Sequence, residues 1–348
     1  MKKRIALLLS AVLAVSTLAT ACGGGSKGGA EVKVGLGLHT TMTSSKNAAA
    51  DADGLAQADL TVAAVTLKED GTIASVKVDC IQVKTNFDAT GKITSDTAKE
   101  FKTKKELGYD YNMKETSAQI GVIKDGAEWF EQAENFEKYC VGKTADQVAK
   151  LVGEDGATTD EALKGGCTIK IGGLTAAVVK ACNNAKAGSW KASADDTLNL
   201  GLEASISSPA DAGEQDGTST AYANFTAVTT NKDGKITACV LDAVQAKVTW
   251  NTKGETTSNL SEDTTTKYDL KEKYGMKETS KNKGVIADGG EWFEQANAFM
   301  SYVVGKNLDE VKAIAVDESG YPTDKALTSG CTMKVKVYIT AIAKALAK

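Results

Sequence analysis

The chain has 348 residues, 42% hydrophobic and 25% charged, an ordinary globular composition with length for about two domains. Its formal net charge is −4, falling to −7 when Lys2, Lys3 and Arg4 are set aside as part of a leader, so no nucleic-acid surface is expected. Arg4 is the only arginine and His39 the only histidine. The mature chain therefore has no guanidinium fork for phosphate and no multi-histidine metal site, and any histidine-based nucleophilic catalysis would rest on His39 alone.

In chain order, "MKKRIALLLSAVLAVSTLATAC" has a basic start, an apolar run from Ile5 to Leu18 and then small residues. That is the pattern of a secretory signal, too short for a membrane span. It resembles a bacterial lipoprotein signal, because Ala19, Thr20 and Ala21 lead directly into Cys22. The resemblance implies a signal peptide over 1–21, lipid attachment at Cys22 and an extracytoplasmic protein held at the membrane. The glycine-rich segment 22–30 reads as a flexible tether. No later apolar run is long enough to span.

The body is one unit written twice. "MKETSAQIGVIKDGAEWFEQAENFEKYCVGK" from Met113 recurs as "MKETSKNKGVIADGGEWFEQANAFMSYVVGK" from Met276. Trp129 recurs as Trp292, and Cys167 as Cys331 after one inserted residue; His39 has Glu203 as its counterpart and is read as a strand or surface residue. The copies span 31–187 and 197–348, each of domain size, with 188–196 ("GSWKASADD") read as a linker. Within the first copy, Leu60–Leu67 and Ile73–Lys84 flank Asp70-Gly71 and predict a hairpin. Asp125 with Glu128, and Asp288 with Glu291, have capping-box spacing ahead of a helix carrying Trp129, Ala133, Phe136 and Cys140. A second helix is predicted from Thr144, with Gln147 three residues on. A Gly-Cys-Thr segment then precedes a small-residue helix, Leu174–Ala181 or Tyr338–Ala345. Strands followed by helices give an α+β class: two tandem homologous domains, each a small antiparallel sheet with packed helices. "EWFEQA" offers paired carboxylates around an aromatic; the favoured reading is a half-buried helix with Trp129 in the core and its glutamates in solvent. An oxidising compartment permits disulfides among the other cysteines, but only Cys167 and Cys331 recur, so no repeated disulfide framework is expected.

The recurring segments are Gly165-Gly166-Cys167-Thr168 and Ser329-Gly330-Cys331-Thr332. With the Asp-Gly hairpin, the "EWFEQA" helix and the alanine-rich tail, the chain resembles the extracytoplasmic FMN-binding domains modified by a flavin transferase, and in particular two-domain flavin lipoproteins of extracellular electron transfer. In that family a threonine near the domain's C-terminal end, in a Ser/Thr-Gly-Ala-Thr run, carries FMN as a phosphoester. Carried over by position, the resemblance implies two covalent FMN groups, on Thr168 and Thr332, with Gly166, Cys167, Gly330 and Cys331 beside them. Cysteine replaces the family's alanine in both copies, and glycine replaces its serine in the first. A rival acceptor is Thr158 in Asp155-Gly156-Ala157-Thr158, whose counterpart in the second copy is interrupted by Tyr321 and Pro322. A glycine beside the acceptor lets a transferase approach closely, and backbone amides near a helix start can meet the phosphate.

The resemblance implies a lipid-anchored electron carrier rather than an enzyme with its own substrate. Its partners are a flavin transferase, a membrane electron donor and an extracellular acceptor. Trp129, Phe130, Trp292 and Phe293 are candidates for packing on the ring, with a core role as the alternative. The other reading is a flavin-free lipoprotein that binds a solute or cell-wall component.

Overall fold

The computed structural model describes residues 29–187 and 190–347. The predicted signal peptide, Cys22 and most of the tether lie outside the described residues.

The first copy opens with β1 (Glu31–Thr41), β2 (Gly54–Leu67) and β3 (Ile73–Phe87). Its helices follow: α1 (Lys104–Leu107), α2 (Lys114–Gln119), α3 (Trp129–Cys140), α4 (Ala145–Ala149), α5 (Glu161–Lys164) and α6 (Gly172–Ala187). After β4 (Lys191–Ser193) the second copy repeats the order with β5 (Thr197–Ala210), β6 (Gly217–Thr230) and β7 (Ile236–Trp250). Its helices are α7 (Lys267–Leu270), α8 (Lys277–Asn282), α9 (Trp292–Val303), α10 (Leu308–Lys312), α11 (Lys325–Thr328) and α12 (Lys336–Leu346). The class is α+β, with two antiparallel sheets ordered β3-β2-β1-β4 and β5-β6-β7.

The β2–β3 hairpin closes as its turn residues dictate. Asp70 Oδ1 accepts from the amide and hydroxyl of Thr72, at 2.9 and 2.7 Å, and Gly71 takes φ 81°. β1 was not among the predicted elements, although Val32, Val34, Leu36 and Leu38 alternate along it and are all buried. The 188–196 segment does more than connect: Lys191–Ser193 forms β4 on the edge of the first sheet, and the Val34 amide donates to Trp190 O at 3.0 Å. An open strand edge needs such partners.

Side chains alternate along β2, and both faces are covered. Leu60, Val62 and Ala64 point into a core shared with Leu200, Leu202, Phe225 and Val244 of the second sheet. Ala63, Val65 and Leu67 point the other way, to Trp129, Phe136, Val178 and Ala181 of the first copy's helices. The second copy has its own outer core, around Trp292, Phe299, Tyr338 and Ile342. The molecule is thus four layers: helices, sheet, sheet, helices.

The inner interface is reciprocal between the copies. Ala48 N donates to Gly254 O (2.7 Å), and Ala212 N donates to Gly91 O (2.9 Å). Thr256 N reaches Asn47 Oδ1 at 2.9 Å, and Ile93 N reaches Asp211 Oδ1 at 2.8 Å. Lys180 pairs with Asp269 and Lys344 with Glu106 (2.9 and 3.1 Å). Phe87 stacks on its own counterpart Trp250, centroids 4.3 Å apart and nearly parallel. Contacts in which i meets j and j′ meets i′ are those of a two-fold isologous interface.

The small-residue helices exist because they lie on glycine. A Cβ at Gly37 would fall 2.3 Å from Ala177 O of α6, and one at Gly201 would fall 1.9 Å from Ala341 O of α12. Helix and strand therefore approach closer than any larger side chain permits.

Candidate acceptor sites on the outer ends of the two copies

The site is built from the start of α3 and α9. Asp125 does not cap α3. Gly126 takes φ 65°, a left-handed conformation that cannot continue into a helix, so the cap moves to Glu128, in a reciprocal box with Glu131. Glu291 and Glu294 do the same for α9. The glutamates were expected in solvent, yet Glu128 and Glu291 are buried. Glu128 accepts the Met113 and Lys114 amides at 2.8 and 3.2 Å, and Glu291 accepts those of Met276 and Lys277 at the same distances. These carboxylates tie the preceding helix to α3 or α9 and are not an acid–base pair.

One turn along each helix stands a fully buried glutamine. Gln132 Oε1 accepts from Thr168 N (2.7 Å), Thr168 Oγ1 (3.1 Å) and Ile169 N (3.1 Å), while its Nε2 donates to Ala127 O and Ser117 Oγ. In the second copy Gln295 Oε1 accepts from Thr332 N (2.7 Å) and Thr332 Oγ1 (3.0 Å), and its Nε2 donates to Gly290 O. Sequence reasoning passed over both residues; their recurrence within "EWFEQA" was the available signal. They also occupy the acceptor amides expected to face a phosphate. The amides at the entry to the last helix are committed too, with Ile171 N and Gly172 N on Gly156 O and Val335 N and Lys336 N on Gly320 O.

The residues beside the threonines have structural work. A Cβ on Gly166 would lie 2.9 Å from the Asn135 side chain, and one on Gly330 would lie 2.9 Å from Ala298, so these glycines let the segment press on α3 and α9. Cys167 and Cys331 point into the core, where burial pushes both thiols up to about 11. Cys80, Cys140 and Cys239 are also buried thiols without a disulfide.

Thr168 is half-buried, and Thr332 is 7% exposed but lines a pocket of about 330 Å³. Lys283, Val285, Tyr321, Pro322, Thr328 and Cys331 form the rest of its wall. Lys283 Nζ donates to Thr332 O at 2.6 Å and stands 4.2 Å from the centre of the Tyr321 ring. In the first copy the corresponding places hold Ile120, which is 52% exposed, and Ala157. The rival Thr158 is buried, its Oγ1 accepting from Asp160 N at 3.2 Å in a turn bridged to Val152. That turn rests on the start of α6, so both candidate threonines of the first copy lie toward one end.

Comparison with protein-family models, curated proteins and solved structures found no match. Among the described residues no helix is long and apolar enough to cross a membrane.

The four tandem aromatics do not line the acceptor site. Trp129 and Trp292 are core residues, Trp292 donating to Tyr338 Oη at 3.2 Å, while Phe130 and Phe293 meet Tyr109 and Tyr268 edge-on. The tryptophans also flank a lysine in each copy. Lys104 Nζ lies 4.8 Å from the Tyr111 ring and 5.2 Å from that of Trp129. Lys267, 7% exposed, faces Tyr222, Tyr274 and Trp292, and burial lowers it to about 8. His39 sits in β1 opposite Thr61, beside Gly173.

Proposed function

We propose that the protein is a membrane-anchored extracytoplasmic electron carrier bearing one covalent FMN on Thr168 and one on Thr332. The observation that carries this reading is the duplicated grip on the two hydroxyls. Each is fixed by a buried glutamine at the same point of the same turn, on the outer, helical side of its sheet. The second has a pocket of about 330 Å³ alongside, a fitting place for part of a planar ring system.

A bound flavin supplies the electron exchange, and the protein's share is attachment, orientation and shielding. In attachment, the threonine oxygen displaces AMP from FAD. The Oγ1–P bond forms, the P–O bond to the AMP phosphate breaks, and the hydroxyl proton passes to the transferase. Gln132 and Gln295 accept that hydrogen beforehand, and the Ser280 hydroxyl stands 3.4 Å from Thr332 Oγ1. The burial of Thr332 requires the transferase to work through the pocket mouth. Lipidation at Cys22 would hold the body at the membrane, and Cys22→Ala is expected to release it.

The test is intact mass after co-expression with a flavin transferase. Wild type should gain two FMN groups, Thr168→Val or Thr332→Val one, the double variant none, and Thr158→Val two. A wild type that gains none under an active transferase removes the reading. The flavin-free alternative, binding of a solute or cell-wall component, draws on a second cavity of about 230 Å³ between the copies, walled by Val34, Leu36, Trp190, Val240 and Tyr268.

A further inference from the structure

The two acceptor sites share a backbone and differ in charge. The mature chain has no arginine, and the acceptor amides of both copies are bonded to Gln132 and Gln295. Recognition of an anion therefore falls to lysine. In the second copy Lys283, at the C-terminal cap of α8, already places its ammonium on the carbonyl of Thr332, the residue that carries the hydroxyl. An ammonium has three donors, and Thr332 O occupies one. Tyr321, Val285 and Pro322 add a ring face and apolar walls beside it. At the corresponding cap of α2 the first copy has Ile120, with a nearly identical backbone: φ −67°, ψ −23° against φ −73°, ψ −15° at Lys283.

We propose that Lys283 is the phosphate-recognising residue of the second copy. Its pocket takes up a phosphomonoester bearing a planar ring system without any covalent bond, whereas the first copy has no such site. This deepens the flavin reading and rests on it for the identity of the ring. The expected consequence is that the second copy holds the flavin phosphate against Lys283 as well as through the Thr332 ester, while the first holds it by the ester alone.

The experiment uses the full chain made without a flavin transferase, titrated with riboflavin 5′-phosphate and separately with riboflavin, followed by flavin fluorescence and calorimetry. Wild type should bind the phosphate at one site per chain. Lys283→Ile, which installs the first copy's own residue on a backbone that already accepts it, should weaken that binding by roughly five- to twentyfold, the scale of a partly screened charge-assisted bond. Lys283→Arg should retain it, and riboflavin affinity should not respond to either change. Ile120→Lys combined with Ala157→Tyr, which supplies both missing side chains, should add a second site. No binding by wild type, equal binding by Lys283→Ile, or two sites in wild type would each overturn the proposal. The titration is independent of attachment: a chain that binds through Lys283 but gains no mass with the transferase removes the covalent carrier and leaves the phosphate site standing.

Discussion

Replacing Gln132 by leucine tests the central claim about the acceptor segment. Its Oε1 holds the amides of Thr168 and Ile169 together with the Thr168 hydroxyl, and its Nε2 holds Ala127 O and Ser117 Oγ. The Thr168 hydroxyl is half-buried and can turn to water. The two amides are fixed by the chain and cannot. A stranded buried donor costs about 1–3 kcal/mol, so the amides together cost about 2–6 kcal/mol, partly offset by about 1 kcal/mol from the added apolar burial. A net loss of about 3 kcal/mol lowers Tm by roughly 4–5 °C when the two copies, joined by one core, unfold together. Glu134→Ala, exposed on the same helix, is the control and should stay within about 0.5 kcal/mol. Thermal unfolding by circular dichroism reads the first quantity, and intact mass after co-expression with a flavin transferase reads whether the first copy alone fails to gain the proposed FMN. If Gln132→Leu melts with wild type, the glutamine does not hold the segment and the reasoning fails.

Each copy expressed alone, 31–187 or 197–348, exposes an inner sheet face that includes Leu36 and Leu60, or Leu202 and Phe225, and is expected to pair with itself; a half that light scattering finds monomeric would contradict the shared core. Gly201→Ala forces α12 off β5, since the new Cβ would sit 1.9 Å from Ala341 O, and should cost about 1–3 kcal/mol in urea unfolding, with no loss speaking against the close approach. Burial raises Asp242 from 3.8 to about 7 against bonds from the Ala243 and Tyr268 amides. The folded state thus binds this proton more tightly than the unfolded chain. Its contribution is complete below the ordinary carboxylate value and is lost as pH rises through about 7. Asp242→Asn should flatten the stability profile across that window, and parallel profiles for variant and wild type would exclude Asp242 as the source.

What the sequence disclosed was local. Asp70-Gly71 encodes its turn within four residues, Thr144 and Gln147 encode a capping box, and duplication made each element visible twice. Asp125 misled because its spacing to Glu128 satisfies the same box as the true pair, and only the left-handed Gly126 decides between them. β2 is buried along nearly its whole length, with helices on one face and the second sheet on the other, and the sequence reading did not anticipate this. A partner sheet supplied by residues far along the chain leaves no periodic mark. The same holds for Gln132, whose partner Thr168 lies thirty-six residues away, and for Lys283, which stands out only against its counterpart Ile120.

The reciprocal interface makes one chain the equivalent of a dimer whose subunits cannot separate. In a dimer of identical chains every substitution appears at both sites, so no site can change alone. Fusion lifts that restriction on the inner face as on the outer, for Phe87 stacks on its own counterpart Trp250, a pair that two identical chains could not make. Lysine at 283 opposite isoleucine at 120 is a difference that only the fused form can encode.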